Sequence, residues 1–391
     1  MASANRGRIK NTETYRCRKT VNATKLSTMP LLTDFNRVQR FYTGGKLLDE
    51  WQGLLCRPGL PVGADGNMPE EFLVSTIAYI GPGNPPEKGI SRVLADGNEK
   101  KNLYNLISEA PEAFLGARYA KHCFGHAGVQ LRVGDSSARL IMQCHPNNAQ
   151  ARAFYNNPFG KTEAWYIANT REINGEKAHV YCGFKPGITK EKWRELFQAQ
   201  NSVDTHEMLD CLHRFEVKTG DCFLIRAGTP HAIGSGCLFV ELHQPCDITL
   251  RTERYLAPQP LTDEQMHNGP GFDVLFDCFD YTGRDREQTL AEVFMQLTEE
   301  TAMNCGTVYS LISYNDNSDF CMKKIVLKGS IPMPEFDGHY LFTAVKGEVL
   351  LEYEGGRLNV PQGRGVFVPA SCREIMAVGN AELIMAYPFL V

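Results

Sequence analysis

The chain has 391 residues, 43% of them hydrophobic, and a formal charge of −4, which predicts a globular protein of more than one domain. With no basic block or stripe, nucleic acid is excluded as a partner. No apolar run approaches the ~20 residues that span a bilayer, and the polar, basic N-terminus MASANRGRIKNTETYRCRK lacks the apolar stretch of a secretory signal.

The first ~30 residues carry few apolar positions and predict a loosely attached segment. Between 36 and 100 the pattern is mixed, with Gly, Pro and Asp clustered in RPGLPVGADGNMPE and GPGNPPEKG, both loops by their turn chemistry. Residues 104–122 predict helix, with Pro111 starting a second turn. From 128 onward short strands dominate: VQLRV, ARLIMQCH, EAWYIA, HVYCGF, CFLIRA and CLFVELH. Their spacing and Gly/Pro boundaries predict an all-β sandwich or barrel. Helices interrupt at 189–200, with Thr189 as N-cap, and at 285–301. Strands then return in FCMKKIVLKG, YLFTAVKG, EVLLEYEGG, GVFVPAS and LIMAYPFLV. An internal echo links GDCFLIRAGTPH, at 220–231, to GRGVFVPASCRE, at 363–374, as two copies of one β-module. The thirteen cysteines, Cys17 and Cys56 among them, are scattered with no C-x-x-C. That pattern predicts reduced thiols and a cytoplasmic setting.

Three stretches carry candidate chemistry. In MQCHPNN, the two-residue period of a strand turns Gln143 and His145 to one face, where an imidazole and an amide oxygen could hold a divalent metal or simply pair with each other. In FGKTEAWYIA, Glu163 opens an apolar strand and needs a partner once buried, either a salt bridge or a metal. Lys161 shares its face and places positive charge at the rim of the same cavity. In RAGTPHAIGSGC, His231 sits on a tight turn between apolar strands, as a hydrogen-bonded turn residue or as the fourth member of a Gln-His-Glu-His set. Such a set leaves positions open for water or substrate, as catalytic zinc sites do.

The motifs Q-x-H-P-N, G-K-T-E-A-W-Y and G-T-P-H-A-I-G-x-G, in this order, resemble the type I mannose-6-phosphate isomerases. GGKLLDEWQG and PEEF are similar to an N-terminal pattern of bacterial members, with Phe72 where Trp is usual. CDITLR is similar to the family's S-D-[NT]-T-x-R, with Cys246 in place of Ser. The resemblance is specific from 36 to 256 and vaguer toward the C-terminus. It implies a mainly β fold of two cupin, jelly-roll-like β-barrel domains with a few added helices. Residues 1–35 would be the loose segment, 36–256 the catalytic cupin domain with helical insertions, 257–305 a partly helical link, and 306–391 a second, metal-free cupin-like domain. It implies one divalent ion, zinc, on Gln143, His145, Glu163 and His231, with Lys161 and Arg251 as active-site cations.

The implied reaction interconverts mannose 6-phosphate and fructose 6-phosphate by moving a proton between C1 and C2 through a cis-enediol. The base stays open among a metal-bound hydroxide, Lys161 and a nearby carboxylate. The partner would be a small sugar phosphate, with no nucleic acid or membrane, and the chain a monomer or weak homo-oligomer. Two alternatives stand beside this: isomerisation of a different sugar, phosphorylated or not, and non-catalytic binding of metal and sugar. Arg132 is either a phosphate or supporting cation or an exposed strand charge. His126, His179, His206, His213, Glu241 and His243 are expected to be structural.

Overall fold

A computed structural model describes residues 23–54, 62–79, 84–94, 99–202, 204–256 and 259–389. Cys17, Cys56 and the expected loose segment up to residue 22 lie outside them. From Ala23 the chain is tied down rather than loose. Ala23, Leu26 and Leu31 are buried, and Leu31–Leu32 pairs with the strand Gly365–Val368 near the other end of the sequence.

The fold is mainly β, in antiparallel sheets that face one another without closing into barrels. A seven-stranded sheet runs Phe294–Met295, Cys222–Ile225, Glu163–Thr170, Cys237–His243, Gln130–Asp135, Glu70–Val74, Arg37–Val38. A five-stranded sheet runs Leu212–Glu216, His179–Phe184, His231–Ile233, Gln143–Cys144, Leu250–Arg251. Trp165, Ile167 and Phe223 of the first share a core with Val180, Cys182 and Ile233 of the second, so these two sheets form one sandwich.

The seven-stranded sheet has a second buried face. Leu131, Val133, Tyr166, Leu224, Val240 and Leu242 alternate with its inward residues and pack against Met322, Leu341, Phe367 and Ile384 of a nine-stranded sheet. That sheet contains the C-terminal strands from Thr298 onward together with Leu31–Leu32. Burial on both sides explains why strands such as CLFVELH and YLFTAV read as continuous apolar runs rather than as alternating ones. Each fully buried Leu here contributes about 1.5–3 kcal/mol.

Two sequence expectations shift. The helix expected at 285–301 stops at Val293. Phe294–Met295 joins the seven-stranded sheet through Cys222 and Phe223, and Thr298–Met303 joins the nine-stranded sheet through Gly306–Ile312. Ladder hydrogen bonds at two sheet edges outweigh a helical propensity that is only a few tenths of a kcal/mol per residue. The strand expected through ARLIMQCH contracts to Gln143–Cys144. Other readings stand as made. Thr189 accepts a hydrogen bond from Lys192 N at the start of Lys190–Gln198. Pro111 opens the helix Pro111–Leu115.

Candidate metal centre and active site

The site lies between the two sheets of the first sandwich. On the smaller sheet, Gln143 stands directly opposite His231 on one neighbouring strand and opposite Arg251 on the other. Directly paired residues share a face, so these three side chains form a row. On the larger sheet, Glu163 pairs with His243 and Ile225. His145 follows the Gln143–Cys144 strand, and its carbonyl accepts from Gly228 N at 2.9 Å. Two loops must also touch. Lys161 N donates to Pro146 O at 3.0 Å. That approach needs glycine before the lysine, because a Cβ on Gly160 would lie 2.5 Å from the Asn147 carbonyl carbon.

His145, Glu163 and His231 present ligand atoms that all lie within 4.8 Å of one another, and all three residues are buried. The hydrogen bonds fix how the rings are used. His145 Nδ1 donates to Ile248 O at 2.8 Å and His231 Nδ1 to Thr229 O at 2.9 Å. Each Nε2 is therefore a lone pair turned inward, the arrangement in which backbone acceptors hold metal-ligating histidines in one tautomer. Both Nε2 atoms sit 3.2 Å from a Glu163 carboxylate oxygen. Gln143 Nε2 lies 3.2 Å from His231 Nε2. A carboxylate oxygen and imidazole nitrogens at this range call for a cation among them, and Lys161 Nζ, 3.3 Å from His145 Nε2, stands on one side of the set.

Glu163 Oε2 accepts no well-formed hydrogen bond, although Lys161 Nζ is 2.8 Å away. Burial works to raise the Glu163 carboxyl, yet the Lys161 ammonium holds it well below the usual range. Burial, and then Lys161, push His145 down to about 3. At neutral pH the set is thus a carboxylate and a neutral imidazole, the forms that bind metal. Two imidazoles, one carboxylate and an amide are a donor set for a divalent ion, and the residues present fit one.

Lys161 is 0% exposed, so it is not the rim cation that its position in the sequence predicts. It lies inside, 3.5 Å from Glu241 Oε1 and 3.3 Å from His145 Nε2. Arg251 lines a narrow cleft of about 50 Å³ with Arg40, Tyr42, Glu70, Arg132, Gln143 and Asp247. Its Nη1 donates to Gln265 O at 2.7 Å and to Thr249 O at 3.3 Å, which anchors the guanidinium. Gln143 belongs both to the row beside His231 and to this cleft, and so joins the buried donors to the open space.

Arg132 is buried and pairs with Glu241 at 2.6 Å, Asp247 at 3.4 Å and Glu70 at 3.6 Å, so it is not an exposed strand charge. Arg40 completes the network, 2.6 Å from Glu70 and 3.9 Å above the Tyr79 ring. Sequence reasoning missed Arg40, Glu70 and Asp247, and it treated Glu241 as structural. Glu241 is the second carboxylate beside Lys161, after Glu163, and burial pushes it up to about 7 against the pull of Arg132. The available signal was a charge inside the apolar strand CLFVELH. His179 and His213 are structural as expected, bonded to the carbonyls of Lys177 and Arg284.

Fold and donor set together define a cupin with a centre for a divalent metal. A family model described as the cupin domain of mannose-6-phosphate isomerase matches residues 311–388, the part where the sequence resemblance is vaguer. The mannose-6-phosphate isomerase ManA of Bacillus subtilis is 34% identical over 140 residues, covering 34% of this chain and 41% of its own. The mannose-6-phosphate isomerase of Streptococcus mutans is 24% identical over 281 residues, 70% of this chain and 80% of its own. The crystal structure of the mannose 6-phosphate isomerase from Bacillus subtilis superposes with a TM-score of 0.70 at 19% identity, covering 92% of this chain and 99% of that one. The chain is thus similar in sequence to mannose-6-phosphate isomerases and shares their fold. Among the described residues, no helix is long and apolar enough to cross a membrane.

Proposed function

We propose that this chain interconverts mannose 6-phosphate and fructose 6-phosphate, with one zinc ion held by Gln143, His145, Glu163 and His231. The observation that carries the reading is the convergence of two inward imidazole lone pairs on a buried carboxylate whose Oε2 lacks a well-formed hydrogen bond. Gln143 joins the set through its amide, whose oxygen and nitrogen exchange places on a flip. A divalent ion held there would supply a Lewis acid for the sugar's carbonyl and hydroxyl oxygens. Zinc suits a borderline set of two imidazoles and two oxygens.

The chain's own groups do the rest. Arg251, anchored by two backbone carbonyls, presents a fixed cation at the cleft for the phosphate or for the oxygen on which charge develops. Lys161 is desolvated and therefore acts strongly on the same charge. Glu241, pushed up to about 7, stands near working pH and beside Lys161, where a proton acceptor for the C1–C2 transfer is needed. Arg132 holds its carboxylate in place. The described cysteines are free and mostly buried, which supports a cytosolic enzyme.

The test is solvent exchange. In D₂O the metal-loaded protein should place deuterium at C2 of mannose 6-phosphate while fructose 6-phosphate forms. Binding of the sugar phosphate with neither label nor product would end the isomerase reading and leave a sugar-binding cupin.

A further inference from the structure

The register of the sheets makes the internal repeat explicit. In the first module Glu163 pairs with Ile225, and in the second Tyr340 pairs with Val368. Ile225 and Val368 hold the same position in the two echoing segments, so Tyr340 stands where Glu163 stands, Gly338 where Lys161 stands, and Glu374 where His231 stands. The cation cannot be rebuilt there, because a Cβ on Gly338 would lie 2.6 Å from the Tyr119 ring.

The equivalent mouth is nevertheless open. It is a cavity of about 380 Å³, whose lining includes Met333, Phe336, Tyr340, Cys372, Arg373 and Glu374. Tyr340 is 5% exposed and its hydroxyl makes no hydrogen bond to a described residue. The hydroxyl is not among the sealed, partnerless polar atoms of the described residues, so it is a donor open to the cavity. The cavity lining mixes polar and apolar surface, with Phe336 partly exposed on one side. Its rim carries the carboxylates of Glu335 and Glu374 against one arginine, whose Nη1 is already committed to Phe336 O. Glu374 is held at φ 54°, a left-handed conformation that costs free energy for a residue other than glycine.

We propose that this cavity is a second, metal-free binding site for an uncharged monosaccharide. The aromatic and aliphatic lining takes the apolar face of a pyranose ring, Tyr340 bonds a ring or hydroxyl oxygen, and the rim carboxylates accept from hydroxyls. The same carboxylates reject a phosphate group, which separates this ligand class from the sugar phosphate of the first site. Size agrees, since ligand pockets span about 300–1,000 Å³.

The test uses the full-length, metal-loaded protein and the methyl α-pyranosides of mannose, glucose and galactose, whose locked rings keep them out of isomerase chemistry. Calorimetry or saturation-transfer NMR should find at least one binding with Kd near ~1 mM. Saturating mannose 6-phosphate should not displace it. Tyr340→Phe, nearly isosteric, should weaken it about tenfold, and Glu374→Gln should weaken it too. Arg251→Ala should leave it unchanged. The proposal is overturned if none of the three binds, if mannose 6-phosphate competes, if Tyr340→Phe has no effect in a protein of unchanged melting temperature, or if phenol binds there and the glycosides do not.

Discussion

The two β-modules share a strand plan and differ in what they bury at one corresponding pair of positions. The first places Glu163 and His231 there, with Lys161 beside them, and the second Tyr340 and Glu374, with Gly338. In the first module a buried carboxylate is kept ionised by a buried ammonium and faces two buried imidazoles. In the second a neutral phenol takes the buried position and the carboxylate is exposed at the rim. A charge inside a protein needs a partner, whereas a phenol needs only one hydrogen bond. Two matching scaffolds can therefore hold unlike sites, and the distinction rests on a few side chains rather than on topology.

Breaking the charged set should have the largest effect. Glu163→Ala or His231→Ala should remove stoichiometric metal, read by elemental analysis, and lower kcat/KM by at least ~1,000-fold, with an unchanged far-UV circular dichroism spectrum. A His231 variant that kept both metal and activity would show that the donors are misassigned. Arg251→Ala separates the metal from the chemistry: full metal content with kcat lowered about 100- to 1,000-fold.

Forcing the second module to resemble the first should cost stability instead of adding a metal. Tyr340→Glu buries a carboxylate where Gly338 supplies no cation, and should destabilise by about 3–5 kcal/mol in urea unfolding, with metal content still one ion per chain. The smallest effect concerns acid. His339, beside Tyr340, is buried with its ring nitrogens 3.3 Å from Leu115 O and 2.6 Å from Ala127 O. Burial brings it down to about 4. The unfolded chain takes up this proton near pH 6.5 and the folded chain only near pH 4, so the unfolded state binds more protons between these values. Its contribution is present in full above about pH 6.5, falls as the pH drops toward 4, and changes no further below. The loss is ~3 kcal/mol at most. Urea unfolding at pH 7 and pH 4.5 should show it, and His339→Gln should flatten that part of the profile.

Much of the site was legible in the sequence because its chemistry sits on short local patterns. Q-x-H on a strand fixes one shared face, and an acid opening an apolar strand declares a need for a partner. Lys161 was recognised but misplaced at the rim, since a two-residue period gives a face and not a depth. Glu70 and Asp247 stand inside PEEF and CDITLR, but nothing local marks them or Arg40 as one network, because their significance is their mutual distance.

The sequence by itself determined the strands, the tight turns, the echo between the modules and the residue types able to hold a metal. These follow from side-chain periodicity and turn chemistry, which act over a few residues. Only the tertiary structure decided that Gln143, His231 and Arg251 stand in one row, that Leu31–Leu32 completes a distant sheet, and that Thr298–Met303 is strand rather than helix. Those outcomes depend on which edges and faces meet once the chain has collapsed, and such pairings are not encoded in any local run.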